Sequence, residues 1–176
     1  MLENPNIKLR ALEPEDLDLL FVWENDTQLW HLSNTVKPFS RYILEQYIMN
    51  AHLNIYEQKQ IRLMIDIKAE AEKPTQTAGC IDLFDFDPLN LRAGVGLYIA
   101  ESFRNKGLAG KALQLITDYA QNTLHLKQLY CSVTSDNKLS LKVFEKAGFK
   151  ATGQRLQWIR KEKEWLDEIF YQKILY

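Results

Sequence analysis

The stretch Arg104-Asn105-Lys106-Gly107-Leu108-Ala109-Gly110 concentrates the chemistry that this 176-residue chain advertises. It lies between an apolar strand pattern and an amphipathic helix pattern. Two glycines within four residues let backbone N–H groups come close to a ligand. A helix start adds unsatisfied N–H donors and the positive end of the helix dipole. Arg104 and Lys106 add charge. The combination suits a pyrophosphate. It also suits a plain strand-to-helix turn, with glycine for geometry and basic residues in solvent. The spacing is not that of a P-loop, and it is not G-x-G-x-x-G either.

Other chemistries are poorly served. Cys80 and Cys131 stand far apart, no CxxC occurs, and His31, His52 and His125 are scattered. That disfavours a metal site and excludes a disulfide framework. Lys and Arg number 22 against 23 Asp and Glu, a net charge of −1. Sequence-independent binding to nucleic acid leans on many phosphate contacts, so no nucleic-acid partner is expected. No apolar run reaches membrane-spanning length and the N-terminus lacks a signal pattern. No membrane association and a cytoplasmic location are the expectation.

The elements that must position these residues follow from periodicity. Residues 6–12 alternate as a strand. Glu13 and Pro14 open a helix over 14–25. Residues 26–39 read as a short helix or loop. Ser40 caps a helix running to about Gln58. Strands are expected at 61–68, 78–86 and 92–100, with a polar turn at 69–77 that contains Pro74. The short links make these an antiparallel meander. A helix over 108–122, a strand over 127–134 and a helix from Asn137 to Ala147 follow, the last closed by Gly148. Strands at 154–161 and 164–175 end the chain. The length, 46% apolar content and absence of linkers or repeats predict one mixed α/β domain over residues 1–176.

The strand followed by Arg104-x-x-Gly107-x-Ala109 and a helix resembles the [Q/R]-x-x-G-x-[G/A] motif of the GCN5-related N-acetyltransferase (GNAT) superfamily. Ile7-Lys8-Leu9-Arg10-Ala11-Leu12 with Pro14-Glu15-Asp16 resembles its opening strand and helix. Asn137 and Phe144-Glu145-Lys146-Ala147-Gly148-Phe149 resemble its N…(Y/F)xKxGF segment. The final hairpin fits, and nearly the whole chain is covered. The style is similar to the ribosomal-protein-alanine and spermidine N-acetyltransferase branch. The resemblance implies a mostly antiparallel mixed sheet with a splayed strand pair and helices on both faces. It implies acetyl-CoA as co-substrate, no metal, and direct attack of a primary amine on the thioester. The acceptor would be a small amine or a protein N-terminus. The alternative is a non-catalytic acyl-CoA-binding regulatory module. A homodimer through the last strand is compatible with either.

By the same analogy, Ile99, Ala100 and Glu101 would pair with the pantetheine arm. Arg104, Asn105, Lys106, Gly107, Leu108, Ala109 and Gly110 would hold the pyrophosphate. Asn137 would meet the arm from the other side, or simply cap its helix. A backbone N–H near Ile99 would polarise the thioester carbonyl. Two departures stand out. Phe144, counted with the coenzyme contacts, occupies the place of a Tyr that many members use as an acid. Gly94 stands where many members of the branch carry Glu. Tyr98 and Tyr130 are the remaining proton donors, or else packed aromatics. Alternation puts Asp82 beside Cys80, Phe84 and Phe86, where burial would suit a base; a structural acid is the other reading. Trp23, Glu24, Trp30 and Asn34 fall where the family binds its acceptor, though Trp23 also fits a core stripe. His31 could serve as a base or be structural. The paired acids of the spermidine enzymes have no counterpart in Thr35-Val36-Lys37-Pro38.

Overall fold

A computed structural model describes residues 2–68 and 75–176. Seven strands form one sheet: β1 (Ile7–Arg10), β2 (Ile61–Ile67), β3 (Gln76–Asp87), β4 (Arg92–Ile99), β5 (Gln128–Thr134), β6 (Lys150–Lys161) and β7 (Glu164–Ile174). Their spatial order is β1-β2-β3-β4-β5-β7-β6, and only β4 and β5 run parallel. A parallel pair needs a crossover. Here it is the helix α5 (Leu108–Asn122), the 15-residue amphipathic segment expected at 108–122.

Period 2 along the strands sorts residues onto two faces. Ile81, Leu83, Ala93, Val95, Leu129 and Val133 join the larger core with Leu113 and Ile116 of α5 and Phe144 of α6 (Lys138–Lys146). On the other face, Met64 and Cys80 meet Leu20 of α1 (Leu17–Glu24) and Leu44 and Ile48 of α3 (Arg41–Met49). These Leu and Ile side chains are buried, and each one fully removed from water, such as Leu20 or Ile81, stabilises by about 1.5–3 kcal/mol. Helices thus cover both faces, as expected.

The start of α1 is pinned by charge. Arg10 donates to both oxygens of Asp16 at 2.6 and 2.8 Å and to Asp66 at 2.7 Å. Asp16 in turn accepts from the Glu13 N–H at 2.9 Å. This fixes the direction in which the far end of α1, Trp23 and Glu24, points.

Three expectations need correction. The helix predicted from Ser40 to Gln58 is broken. Ser40 does cap α3, accepting from the Ile43 N–H, but α3 stops at Met49 and gives way to a 3-10 turn. Asn54 then starts α4 (Ile55–Gln58), accepting from the N–H groups of Tyr56 and Glu57. An Asn side chain competes for backbone donors and favours a cap over a helix interior. Second, Phe86 does not share a face with Asp82. Asp85 takes a left-handed φ of 47° in a bulge, and this flips Phe86 into the larger core. Third, β3 begins at Gln76, inside the expected turn; residues 69–74 of that turn, with Pro74, lie outside the described residues. Among the described residues no helix is long and apolar enough to cross a membrane. The short helix α2 (Trp30–Ser33) sits within the segment expected as helix or loop.

Candidate active site

β4 and β5 pair only at Arg92–Gly94 against Gln128–Tyr130, then diverge. β4 stays paired with β3, and β5 with β7, so a wedge opens between them. The Ala100 N–H bonds Ala78 O at 2.9 Å. By antiparallel alternation, Leu97 and Ile99 therefore turn their own backbone groups the other way, toward the wedge. One of these, the Ile99 carbonyl, accepts from Arg104 Nε at 3.0 Å.

The cradle lies just beyond the wedge. Asn105 and Gly107 both adopt left-handed φ, 62° and 72°, and Gly107 caps α5. A Cβ added at Gly107 or Gly110 would meet no atom within 4 Å. The amides at the start of α5 are therefore approachable and lack intrahelical partners. Lys106 donates to the Ser102 carbonyl at 3.0 Å and lies over the Phe103 ring. Arg104 and Lys106 thus brace the loop while staying exposed. An approachable run of N–H groups with two cations beside it fits a diphosphate, and the β4 edge beside it fits an amide-bearing arm.

Across the wedge, Asn137 caps α6, its side chain accepting from the Ser140 N–H at 3.1 Å. Capping is thus part of its work; its amide N–H₂ donates to no described residue. Phe144 is 5% exposed and packs edge-on against Phe149, so it has core packing to do and no proton to offer.

On the α1–α3 face the strands bring together a ring of side chains. Asp82 and Gly96 are in register, as are Cys80 and Tyr98. Arg62 of β2 lies opposite Asp82 and grips both its oxygens at 2.8 Å through Nε and Nη2. The Arg62 Nη1 donates to Glu24 Oε1 at 2.5 Å. Next to Glu24, the Trp23 ring packs 5.1 Å from the ring of Tyr98. The Tyr47 ring lies 5.4 Å from the guanidinium. The side chains of Glu24, Arg62, Asp82, Tyr98 and Trp23 gather around Gly96, which carries no side chain. Phe84 lays its ring over Gly94, so that a Cβ there would come within 2.3 Å of it. The family's Glu has no room at that position.

Burial and charge tune this ring. Desolvation holds Tyr98 above the usual phenol range, so it keeps its proton at neutral pH. Burial, helped by the Asp82 charge, pushes the Cys80 thiol up to about 12 and makes it inert as a nucleophile. Burial likewise pushes Tyr47 up to about 12. Desolvation pulls on Arg62, but the charge and hydrogen bonds of Asp82 outweigh it and keep the guanidinium protonated.

The expected acceptor residues are only partly assembled. Trp23 and Glu24 line the ring. Trp30 sits at its margin, donating from Nε1 to the Glu24 carbonyl at 3.0 Å. Asn34 instead ends α2 at a left-handed φ of 55°, exposed. Tyr130 is turned away, between Phe84 and Phe170, with its hydroxyl 3.5 Å from Asp85. It lines a groove of about 410 Å³ at the paired end of β4 and β5, which neither Asp82 nor Tyr98 reaches. Arg62 is the residue that sequence reasoning overlooked. The signal was available: a cation inside an otherwise apolar inner strand needs a counter-ion from a neighbouring element.

A family model described as an acetyltransferase (GNAT) domain matches residues 6–150. The spermidine N(1)-acetyltransferase of Escherichia coli (strain K12) is 26% identical over 149 residues, 85% of this chain and 75% of that protein. A Bacillus subtilis protein, YdaF, provisionally named a ribosomal N-acetyltransferase, is 27% identical over 155 residues, 86% of this chain and 81% of its own. Among solved structures, the spermidine N-acetyltransferase of Vibrio cholerae in complex with CoA and spermine superposes with a TM-score of 0.85. It is 20% identical, with 98% of this chain and 97% of that chain covered. The family model spans most of the chain, and the chain belongs to the GNAT family of acetyltransferases, enzymes that use acetyl-CoA to acetylate amines.

Proposed function

We propose that the acceptor is a small, positively charged primary amine that sits over Gly96, with Tyr98 and the carboxylates of Glu24 and Asp82 serving the reaction. When bound, acetyl-CoA supplies an electrophilic thioester carbon. The N–H groups of residues 107–110 hold its diphosphate, and Arg104 and Lys106 offset the charge. Leu97 and Ile99 align the arm as an added strand, and the Ile99 N–H steadies the carbonyl oxygen. Asn137 meets the arm from the β5 side.

The ring's charges support an ammonium ligand. Two carboxylates and one guanidinium leave one net negative charge, and the Trp23 face adds cation–π attraction. The ammonium must lose a proton before its nitrogen can attack, and a ring carboxylate takes that proton. As the carbon–nitrogen bond forms and the carbon–sulfur bond breaks, Tyr98 gives its proton to the departing sulfur and recovers one from the acylated nitrogen, which thereby becomes the neutral amide. A thiol has an ordinary pKa of about 8.5, so this assistance is modest.

The observation that carries the reading is the cluster of Trp23, Glu24, Asp82 and Tyr98 around the bare Gly96, on the strand that lines the β4–β5 wedge. Gly94 and Phe144, which motivate a purely regulatory reading, are offset by this ring. The same proposal takes residues 1–176 as one cytoplasmic domain that dimerises through the β6–β7 hairpin, where Leu156, Trp158 and Trp165 are exposed; light scattering tests the dimer.

The test is coenzyme A release, followed with a thiol reagent, over a panel of monoamines, polyamines including spermidine, and peptides with free N-termini. Small amines are expected to turn over. Acetylation of peptides alone would overturn the acceptor assignment.

A further inference from the structure

We propose that Arg62 is a positioning residue that divides labour between the two carboxylates: it locks Asp82 as an anchor and aims Glu24 as the acceptor's proton acceptor. This rests on the acetyl-transfer reading above and assigns roles within it.

The geometry separates the two acids. Asp82 has both oxygens engaged by the same guanidinium, at 2.8 Å each. A bidentate pair of this kind is rigid and directional. Glu24 gives Arg62 only Oε1. Its Oε2 has no hydrogen-bond partner among the described residues. Glu24 is the last residue of α1 and neighbours Trp23, whose ring packs at a tilt against Tyr98. The free oxygen therefore belongs to the residue at the acceptor's side of the ring. Arg62 itself is mostly buried, with its side chain 18% exposed, and packs on Tyr47. It is held from three elements and cannot swing out without breaking all three contacts.

The charged and titratable groups around Glu24 are Arg62 of β2, Cys80 and Asp82 of β3, Tyr98 of β4, Tyr47 of α3, and Asp26 just past α1. Arg62 is the cation that contacts Glu24, and Arg104 acts on the Tyr98 side of the ring together with Asp26 and Glu101. Removal of Arg62 leaves two half-buried carboxylates facing one another with no cation between them, so neither keeps its aim. Lysine keeps the charge but lacks the planar fork, so it cannot grip Asp82 twice and reach Glu24 as well.

The experiment compares kcat and KM for wild type, Glu24→Gln, Asp82→Asn, Arg62→Lys, Arg62→Met and the double variant Glu24→Gln with Arg62→Met, using an amine found in the panel above. Calorimetric titration of acetyl-CoA and circular dichroism run alongside. Glu24→Gln is expected to lower kcat by about 10²-fold or more. Asp82→Asn mainly raises KM. Arg62→Met lowers kcat, and in the double variant it adds little to the loss from Glu24→Gln. Arg62→Lys lowers kcat less than the methionine variant does, which preserves the test should the methionine variant not fold. Acetyl-CoA affinity stays unchanged throughout. The proposal is overturned if Asp82→Asn lowers kcat while Glu24→Gln retains it, or if folded Arg62 variants keep the wild-type kcat and KM. Failure of the wild type to acetylate any amine overturns the underlying reading instead, and this assignment with it.

Discussion

Gly94→Ala is expected to destabilise the protein by about 1–2 kcal/mol, although it adds a single methyl to a strand at an ordinary backbone angle. The added Cβ would lie 2.3, 2.4 and 2.8 Å from three ring atoms of Phe84. Carbon atoms in contact prefer about 3.5–4.0 Å, so the ring must retreat by about an ångström or more. It then loses its edge contact with Tyr130, whose centroid is 6.1 Å away. Overpacking of this kind costs about 1–3 kcal/mol. Replacing glycine restricts the unfolded chain and returns about 0.4–1 kcal/mol. The assay is denaturant unfolding with linear extrapolation, accepted only where the slope is unchanged. In a Phe84→Ala background the methyl has room, and the same substitution becomes neutral or stabilising. The coupling between the two sites should be about 1–3 kcal/mol. Two other glycines act as controls. At Gly96 a Cβ would sit 3.6 Å from Asp82, an ordinary contact, so Gly96→Ala folds well but narrows the site and slows turnover. At Gly79 it would stand 2.0 Å from the Tyr98 carbonyl oxygen, so Gly79→Ala costs most. Equal cost of Gly94→Ala in both backgrounds, or none in the wild type, would refute the claim that Phe84 fills this space.

Gly107→Asp should fold, at a cost of about 1–2 kcal/mol for a side chain at left-handed φ, yet lose coenzyme binding by calorimetry; retained affinity in the folded variant would move the cradle elsewhere. Tyr98→Phe should lower kcat by up to about 10²-fold and leave acetyl-CoA affinity alone, whereas wild-type kcat would reduce Tyr98 to a packing partner of Trp23. Stability should fall in alkali. Burial pushes the Cys80 and Cys131 thiols and the Tyr47 phenol up to about 12. The unfolded chain releases these protons near pH 9–10 while the folded one keeps them. Each group therefore contributes fully below its unfolded value and removes about 1.4 kcal/mol per pH unit above it, until the folded value is reached. Thermal melts between pH 8 and 11 check this, and a flat profile would contradict the burial of the thiols.

Legibility followed how local the cause was. α5 was readable to the residue because its apolar period, its glycine cap and the preceding strand all agree. The wedge was legible only through resemblance, since divergence of β4 from β5 is set by tertiary packing and not by either strand's pattern. The Phe86 error came from one residue: Asp85 in a left-handed bulge inverts the alternation that follows. The surroundings of Asp82 were legible in part. Alternation does place Asp82 on the face of Cys80 and Phe84, but its hydrogen-bond partner is a cation directly opposite it on the neighbouring strand, Arg62. Strand pairing decides such partners, and no periodicity encodes it.

The two departures from the family pattern are connected through this register. A Glu on β4 at position 94 would project from the sheet beneath the site, but the Phe84 ring occupies that volume. The carboxylates present instead come from the side, from β3 and from the end of α1, and are tied together by Arg62. A base on β4 would meet an amine from beneath, whereas a base on β3 or at the end of α1 meets it laterally. That geometry favours acceptors whose carbon chain enters toward Gly96 with the nitrogen held at Glu24. It also makes the direction of α1 a determinant of chemistry. Arg10, clamped on Asp16 at the opposite end of that helix, is then part of what aims the site.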